Sequence, residues 1–277
     1  ERRIVNMAKI EDLKGFCYPV SPEGKASLLG AYPWHYGTEY LNIAYRVDPG
    51  AVKRWLPEPL ELGDHPDVAY VAFSKWWSVW EDAKDLPAVN PERTQYKEAA
   101  IWVGCSFNGE QAQMCLPIWV DNDFTMARGW MMGFPKKLGQ IALTDYNPYN
   151  PAMAPLGIGS AMTGIVSSHG ERLIKGTLHV DRQIDPSELP APMGRPLIHL
   201  RHFPSLVPGH GPSVCELVKL GAVNKKSDPV AWAGSGELEF YPSELEEHMP
   251  LAPKEVLGAY WFRNGYTFNG AEVIYEK

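Results

Sequence analysis

The sequence carries no apolar run approaching the length of a bilayer span, so no membrane-crossing helix is expected. It also lacks a surplus of positive charge. Lysine and arginine total 26 against 33 acidic residues, a formal net charge of -7, which argues against nucleic acid or an anionic membrane as partner. Cysteine is scarce: Cys17, Cys105, Cys115 and Cys215 are scattered, without C-x-x-C and without a close histidine pair. They read as reduced core thiols rather than disulfides or zinc ligands. The eight histidines lack metal-site spacing: His199 and His202 stand three apart and no H-E-x-x-H occurs. No metal is expected, and the histidines read as solvated or structural. No G-x-S-x-G, Walker loop or dinucleotide fingerprint is present, and no cofactor is expected. The start, "ERRIVNMAKIEDLKGF", is too charged for a signal peptide, which points to a cytoplasmic protein with Met7 as a candidate natural start.

Gly and Pro are plentiful, 25 each, and such punctuation suits short strands and turns better than long helices. Strands are predicted over 40–47, 67–77, 99–107, 112–120, 172–180 and 236–241, from period-two alternation and β-branched or aromatic enrichment. "FNGEQ" (107–111) reads as a hairpin turn, because Asn-Gly supplies the positive φ that tight hairpins need. Asp48 is placed to cap a helix with Pro49 at its first position, and Pro57 and Pro59 end it near Leu56. A second short helix is predicted over "SELEEHM" (243–249). No repeat or linker divides the chain, so residues 1–277 read as one strand-rich α+β domain.

The most informative stretch is "GFPKKLGQ" (133–140), two adjacent lysines among apolar neighbours. A Lys-Lys pair is ordinarily a solvated surface. If Pro135 starts a strand, however, successive side chains point to opposite faces and the two lysines part company. An inward lysine among Met131, Phe134 and Leu138 would be desolvated, which favours its neutral form. A neutral amine can attack a carbonyl and form an iminium, an electron sink for the neighbouring carbon.

"GFPKKLG" resembles the lysine motif of the acetoacetate decarboxylase family, in which the first lysine of the pair forms the Schiff base. The resemblance continues through "EYLNIAYRVDPGAVKRWLPEPLEL" (39–62), "SFNG" (106–109), "VDN" (120–122), "RPLIHL" (195–200), "VCELVK" (214–219) and "AEVIY" (271–275). It covers most of the chain from about residue 30, with residues 1–29 as an N-terminal extension. It implies a cone-like antiparallel β-barrel with short helices, and a homo-oligomer. It also makes Lys136 the Schiff-base lysine and Glu98, a fixed distance before "FNG", the proton shuttle or the group that orients the bound substrate. If the strand predicted from residue 99 already runs there, Tyr96 shares a face with Glu98 and is a weaker candidate for the same pocket. Lys137 and Phe134, within the motif beside Lys136, are supporting candidates.

Departures accompany the matches. Where the decarboxylase carries an arginine before its "EYFN"-like strand, this chain has Thr38, and where it carries a second glutamate this chain has Val71. Its Gly-Arg-Glu is replaced by "ARGWMMG" (127–133), which leaves Arg128 out of register. The stretch 73–98 is longer than its equivalent and brings Trp76, Trp77 and Trp80. It reads as core packing or as the wall of a pocket for a large apolar substrate, with Tyr260 and Tyr266 as further candidates. Three readings compete. The first is a Schiff-base lyase performing aldol, retro-aldol or dehydration chemistry on a keto acid or aldehyde. The second is decarboxylation of a bulky apolar β-keto acid, with Arg46 or Arg128 replacing the missing arginine. The third is a non-catalytic small-molecule binder on the same scaffold.

Overall fold

A computed structural model describes residues 7–277, so the residues preceding Met7 lie outside the described part. The strands are β1 (Trp34–Arg46), β2 (Glu61–Leu62), β3 (Val68–Trp80), β4 (Gln95–Phe107), β5 (Glu110–Val120), β6 (Lys136–Leu138), β7 (Gln140–Leu143) and β8 (Ala161–Ser168). They continue with β9 (Glu171–Ile184), β10 (Ile198–Phe203), β11 (Val214–Leu220), β12 (Val223–Ser227), β13 (Ala231–Phe240), β14 (Glu255–Phe268) and β15 (Ala271–Glu276). Three short α-helices interrupt them: α1 (Pro49–Trp55), α2 (Leu86–Val89) and α3 (Asp123–Met132). None of the helices among the described residues is long and apolar enough to cross a membrane.

Local chemistry explains several of these elements. Asp48 caps α1, accepting from the Ala51 N–H at 2.9 Å, and Pro57 follows its last turn. The β4–β5 hairpin turns at Asn108 (φ 51°) and Gly109 (φ 82°), the positive angles an Asn-Gly turn tolerates. Residues 243–249 form no α-helix, contrary to the sequence expectation. The Ser243 hydroxyl accepts from the Leu245 and Glu246 N–H groups, each at 3.1 Å, and bends the chain before a 3-10 turn at Met249–Leu251.

Twelve strands form one sheet in the order β6-β5-β4-β3-β1-β14-β13-β9-β8-β7, with β2 added to β4 and β12 to β14. The pairings are antiparallel except for β5 with β6, which is parallel. The two ends of this order, β6 and β7, are consecutive in the chain and separated by Gly139 alone. The chain itself therefore joins the first edge to the last, and the sheet curls into a cone-like barrel. Gly139 donates to the Val120 carbonyl at 2.8 Å, and Ser168 Oγ donates to the Leu138 carbonyl at 2.7 Å. A Cβ at Gly139 would stand 2.9 Å from the Trp119 Cβ, so closure needs the glycine. A second sheet, β10-β11-β15, packs outside.

Alternation sorts the side chains. Leu41, Ile43, Tyr45, Val71, Phe73, Ile101 and Val103 point into the curl and pack with Val166, Ile174 and Leu178. Val71 therefore faces the apolar core, and its neighbours on the opposite face, Tyr70 and Ala72, carry no charge either. Gly164 and Gly176 face each other across β8 and β9, and their missing side chains make room for Phe73 and Ile43. In Gly164→Ala the new methyl would stand 2.3 Å from Phe73 Cγ, a ring packed on every side. That overpacking should cost about 1–3 kcal/mol, read as a lowered denaturant midpoint at unchanged slope; an unchanged midpoint would contradict this packing.

Candidate active site

The opposite face of the central strands carries the candidate site. Even-numbered residues of β1, β3, β4 and β14 project there: Tyr36, Thr38 and Tyr40, then Ser74, Trp76 and Ser78, Tyr96 and Glu98, and Phe262 and Tyr266. Register sets them in rows, with Ser74 opposite Glu98, Trp76 opposite both Thr38 and Tyr96, and Tyr36 opposite Tyr266. Helix α3 covers this face. Asn122 caps it, accepting from the Phe124 N–H at 3.3 Å, and Gly133 ends it in the left-handed region at φ 87°. Phe134 and Pro135 then lead into β6, whose first residue is Lys136.

The two lysines do part. Lys136 is buried, 6% exposed, whereas the Lys137 side chain is 47% exposed and pairs with Glu246. Lys136 Nζ donates to Glu98, itself buried, and to Thr125 Oγ1 at 2.9 Å. The amine lies 5.5 Å from the ring centroids of Tyr96 and Phe134. Trp130 Nε1 holds the Lys136 carbonyl at 2.8 Å. The lysine stem crosses α3 at Gly129, where an added Cβ would stand 2.3 Å from Lys136 Cδ. Burial pushes the Lys136 amine below its ordinary 10.5, and the Arg128 charge pushes the same way, against the attraction of Glu98.

Arg128 follows Thr125 by three residues on α3 and is 2% exposed. It donates to Ser78 Oγ at 3.1 Å and to the Tyr96 hydroxyl at 2.9 Å. Its guanidinium lies 4.9 Å from the Tyr36 ring, 5.3 Å from Phe124, 5.4 Å from Tyr96 and 5.6 Å from Trp34. Among the described residues no carboxylate forms an ion pair with it. The linear register that set Arg128 apart from the family motif does not survive folding, because a helix places residues three apart on one side. Arg46, the other substitute considered, instead pairs with Asp67 at the surface.

Aromatic side chains complete the wall. Trp76 stacks parallel on Tyr96 at 5.9 Å, and Tyr36 packs on Tyr266 at 5.0 Å. Tyr40 stacks on Phe262 at 4.9 Å. Burial pushes the Tyr36 phenol up to about 12 and those of Tyr96 and Tyr266 well above the usual 10, so all three remain donors at neutral pH. Thr38 is buried on this face with no hydrogen-bond partner for its Oγ1 among the described residues.

Other candidates fall elsewhere. Trp77, one residue past Trp76, points to the opposite face and is 41% exposed. Trp80 ends β3, packed on Gly30 with the Arg93 guanidinium 6.0 Å above its ring. Tyr260 joins a separate cluster with Ala44, Tyr70 and Ala72. Sequence reasoning missed Thr125, Gly129, Ser78, Tyr36 and Tyr40. The signals for α3 were present in Asn122 as a cap and Gly133 as a stop, and a helix between them would have put Thr125 and Arg128 together.

A family model described as acetoacetate decarboxylase matches residues 17–277. The acetoacetate decarboxylase of Chromobacterium violaceum is 28% identical over 243 residues, 86% of each chain. Among solved structures, the enduracididine biosynthesis enzyme MppR, complexed with the condensation product of pyruvate and imidazole 4-carboxaldehyde, is 34% identical. It superposes with a TM-score of 0.87 over 94% of this chain and 96% of its own. An acetoacetate decarboxylase-like enzyme from Sphingomonas wittichii RW1 is 29% identical, with a TM-score of 0.88 over 95% of this chain and all of its own (100%). With a match that runs from residue 17 to residue 277, the chain belongs to the acetoacetate decarboxylase family and is an enzyme of the lyase or decarboxylase kind.

Proposed function

We propose that the enzyme condenses a 2-oxo acid with an aldehyde through an iminium at Lys136, with retro-aldol cleavage and dehydration as steps of the same chemistry. The observation that carries this reading is Arg128, a buried guanidinium without a carboxylate partner among the described residues, one helical turn from the threonine that binds the lysine. A guanidinium in that position suits a substrate carboxylate, which it can grip through two parallel N–H···O bonds. MppR, with pyruvate in its condensation product, supports the same substrate class.

The chemistry follows from the geometry. Neutral Lys136 adds to the keto carbon, and the resulting carbinolamine loses water to give the iminium, with Glu98 moving the protons. Glu98 then takes a proton from the carbon beside the iminium, and the electron pair is held as an enamine. That carbon attacks the aldehyde carbonyl, forming the new carbon-carbon bond, and the alkoxide takes up a proton. Loss of the new hydroxyl as water yields a conjugated product, and hydrolysis of the iminium returns the amine. The buried phenols of Tyr96 and Tyr266 are protonated donors on the wall of this site. The curated acetoacetate decarboxylases favour a second reading, decarboxylation of a β-keto acid at the same lysine. Arg128 can hold the carboxylate in that reading too, and what weighs against it is Thr38 and Val71, which stand where the decarboxylase carries an arginine and a glutamate.

Borohydride added with pyruvate should leave a reduced adduct on the peptide containing Lys136, seen by intact mass and peptide mapping, and Lys136→Ala should leave none. An unmodified Lys136 in folded protein would sink the iminium mechanism. Glu98→Gln should still trap pyruvate but slow turnover with an aromatic aldehyde about 10²–10⁴-fold, followed by the absorbance of the conjugated product. Undiminished turnover would remove Glu98 from proton transfer. Adduct formation should rise with pH and level off below the ordinary lysine value of 10.5, because the reactive amine is the deprotonated form. Removing the neighbouring charge in Arg128→Gln should shift that profile to higher pH and raise the KM for the oxo acid by about 10²-fold, as expected for loss of a buried charge-assisted pair. A profile and KM that do not move would show that Arg128 acts elsewhere.

A further inference from the structure

Beside Lys136, and bounded in part by Gly133, Phe134 and Pro135 of its motif, lies an apolar cleft of about 530 Å³, within the size range of small-molecule sites. Trp55, Leu116, Leu200 and Phe203 line it, together with Cys115 and Phe134. The last two also belong to the surroundings of the amine. The Phe134 ring is 5.5 Å from Lys136 Nζ, and the Cys115 thiol feels the charges of both Glu98 and Lys136. A single layer of side chains therefore separates cleft from lysine.

The backbone of Phe134 is fixed on both sides. Gly133 before it occupies the left-handed region, Pro135 after it restricts its backbone, and its N–H is held by the Gly129 carbonyl at 2.9 Å. The backbone is thus fixed while the half-buried ring keeps its side-chain torsion. Against that ring, at 4.0 Å, lies His199, fully buried, with neither ring nitrogen bonded to any partner among the described residues. Leaving a buried polar group unpaired costs about 1–3 kcal/mol, so a polar partner that reaches His199 is favoured by that amount. Burial and the nearby lysine charge hold this imidazole down at about 3, so it is neutral and offers one donor and one acceptor.

We propose that the cleft is a subsite of the lysine centre that takes the aryl or long alkyl part of the carbonyl substrate. Phe134 turns aside to join it to Lys136, and His199 meets the polar group that passes behind the ring. This rests on the Schiff-base reading of Lys136. The largely apolar lining fits such a group: no carboxylate, lysine or arginine bounds the cleft, and His202 is its one imidazole.

The test compares borohydride trapping rates at Lys136 for phenylpyruvate and pyruvate, with folding checked by near-ultraviolet circular dichroism. Filling the cleft with Leu200→Trp should lower the phenylpyruvate-to-pyruvate ratio by about tenfold, and removing the gate with Phe134→Ala should raise it by a similar factor. Phe134→Ala removes atoms only, so it keeps the test decisive if Leu200→Trp does not fold. A ratio that stays constant in folded variants overturns the subsite and leaves the iminium mechanism standing. So does a wild-type enzyme that traps pyruvate and never phenylpyruvate. Absence of any adduct in the wild-type protein overturns both.

Discussion

Taking a lysine amine out of water costs several kcal/mol unless partners replace the lost solvent, and this molecule is organised around that cost. Glu98 supplies the opposite charge and Thr125 the second acceptor, from a strand and a helix far apart in sequence. Both must arrive within hydrogen-bond reach of one atom. The parallel pairing of β6 with β5 fixes Lys136 beside Ile118, and the β4–β5 hairpin places Glu98 one strand further on. Closure of the barrel through Gly139 then prevents β6 from sliding, since the same chain continues at once into β7. A lysine stem that crosses a helix at a glycine belongs to the same solution, for any larger residue at position 129 would occupy its path.

The same sheet serves two environments because its side chains alternate. One face is an apolar core, and the other is an aromatic chamber with an amine, a carboxylate and a guanidinium. The rings lie around the buried cations and supply the negative face of their π-systems where water is excluded. Arg128 and Lys136 are like charges against one tyrosine, and the arginine keeps its proton under all ordinary conditions. Burial and that neighbouring charge both lower the pKa of Lys136, which favours the neutral amine that the proposed iminium chemistry requires.

What could be read in advance varied with how local the cause was. Asp48 with Pro49, and Asn108 with Gly109, carry their instructions within four residues, and α1 and the hairpin form where expected. Lys136 and Lys137 separate to opposite faces because alternation is a property of any strand. Residues 243–249 misled because their side chains are committed to distant partners: Ser243 donates to Glu171, and Glu246 is drawn to Trp119 and Lys137. Trp77 was grouped with Trp76 by composition, which is blind to the face a side chain takes.

The site shows where the division lies. By itself the sequence determined the strand-rich class, the lysine motif, the position of Glu98 and the resemblance to a family, because these rest on spacing along one chain. Tertiary structure alone decided that Arg128 enters the chamber while Arg46 stays at the surface, that Tyr36 and Tyr266 share a wall, and that His199 lies against Phe134 with its nitrogens unpaired. Those are contacts between residues tens to hundreds of positions apart. Their energies depend on burial and on the angle at which a helix crosses a sheet, and neither quantity exists until the barrel has closed.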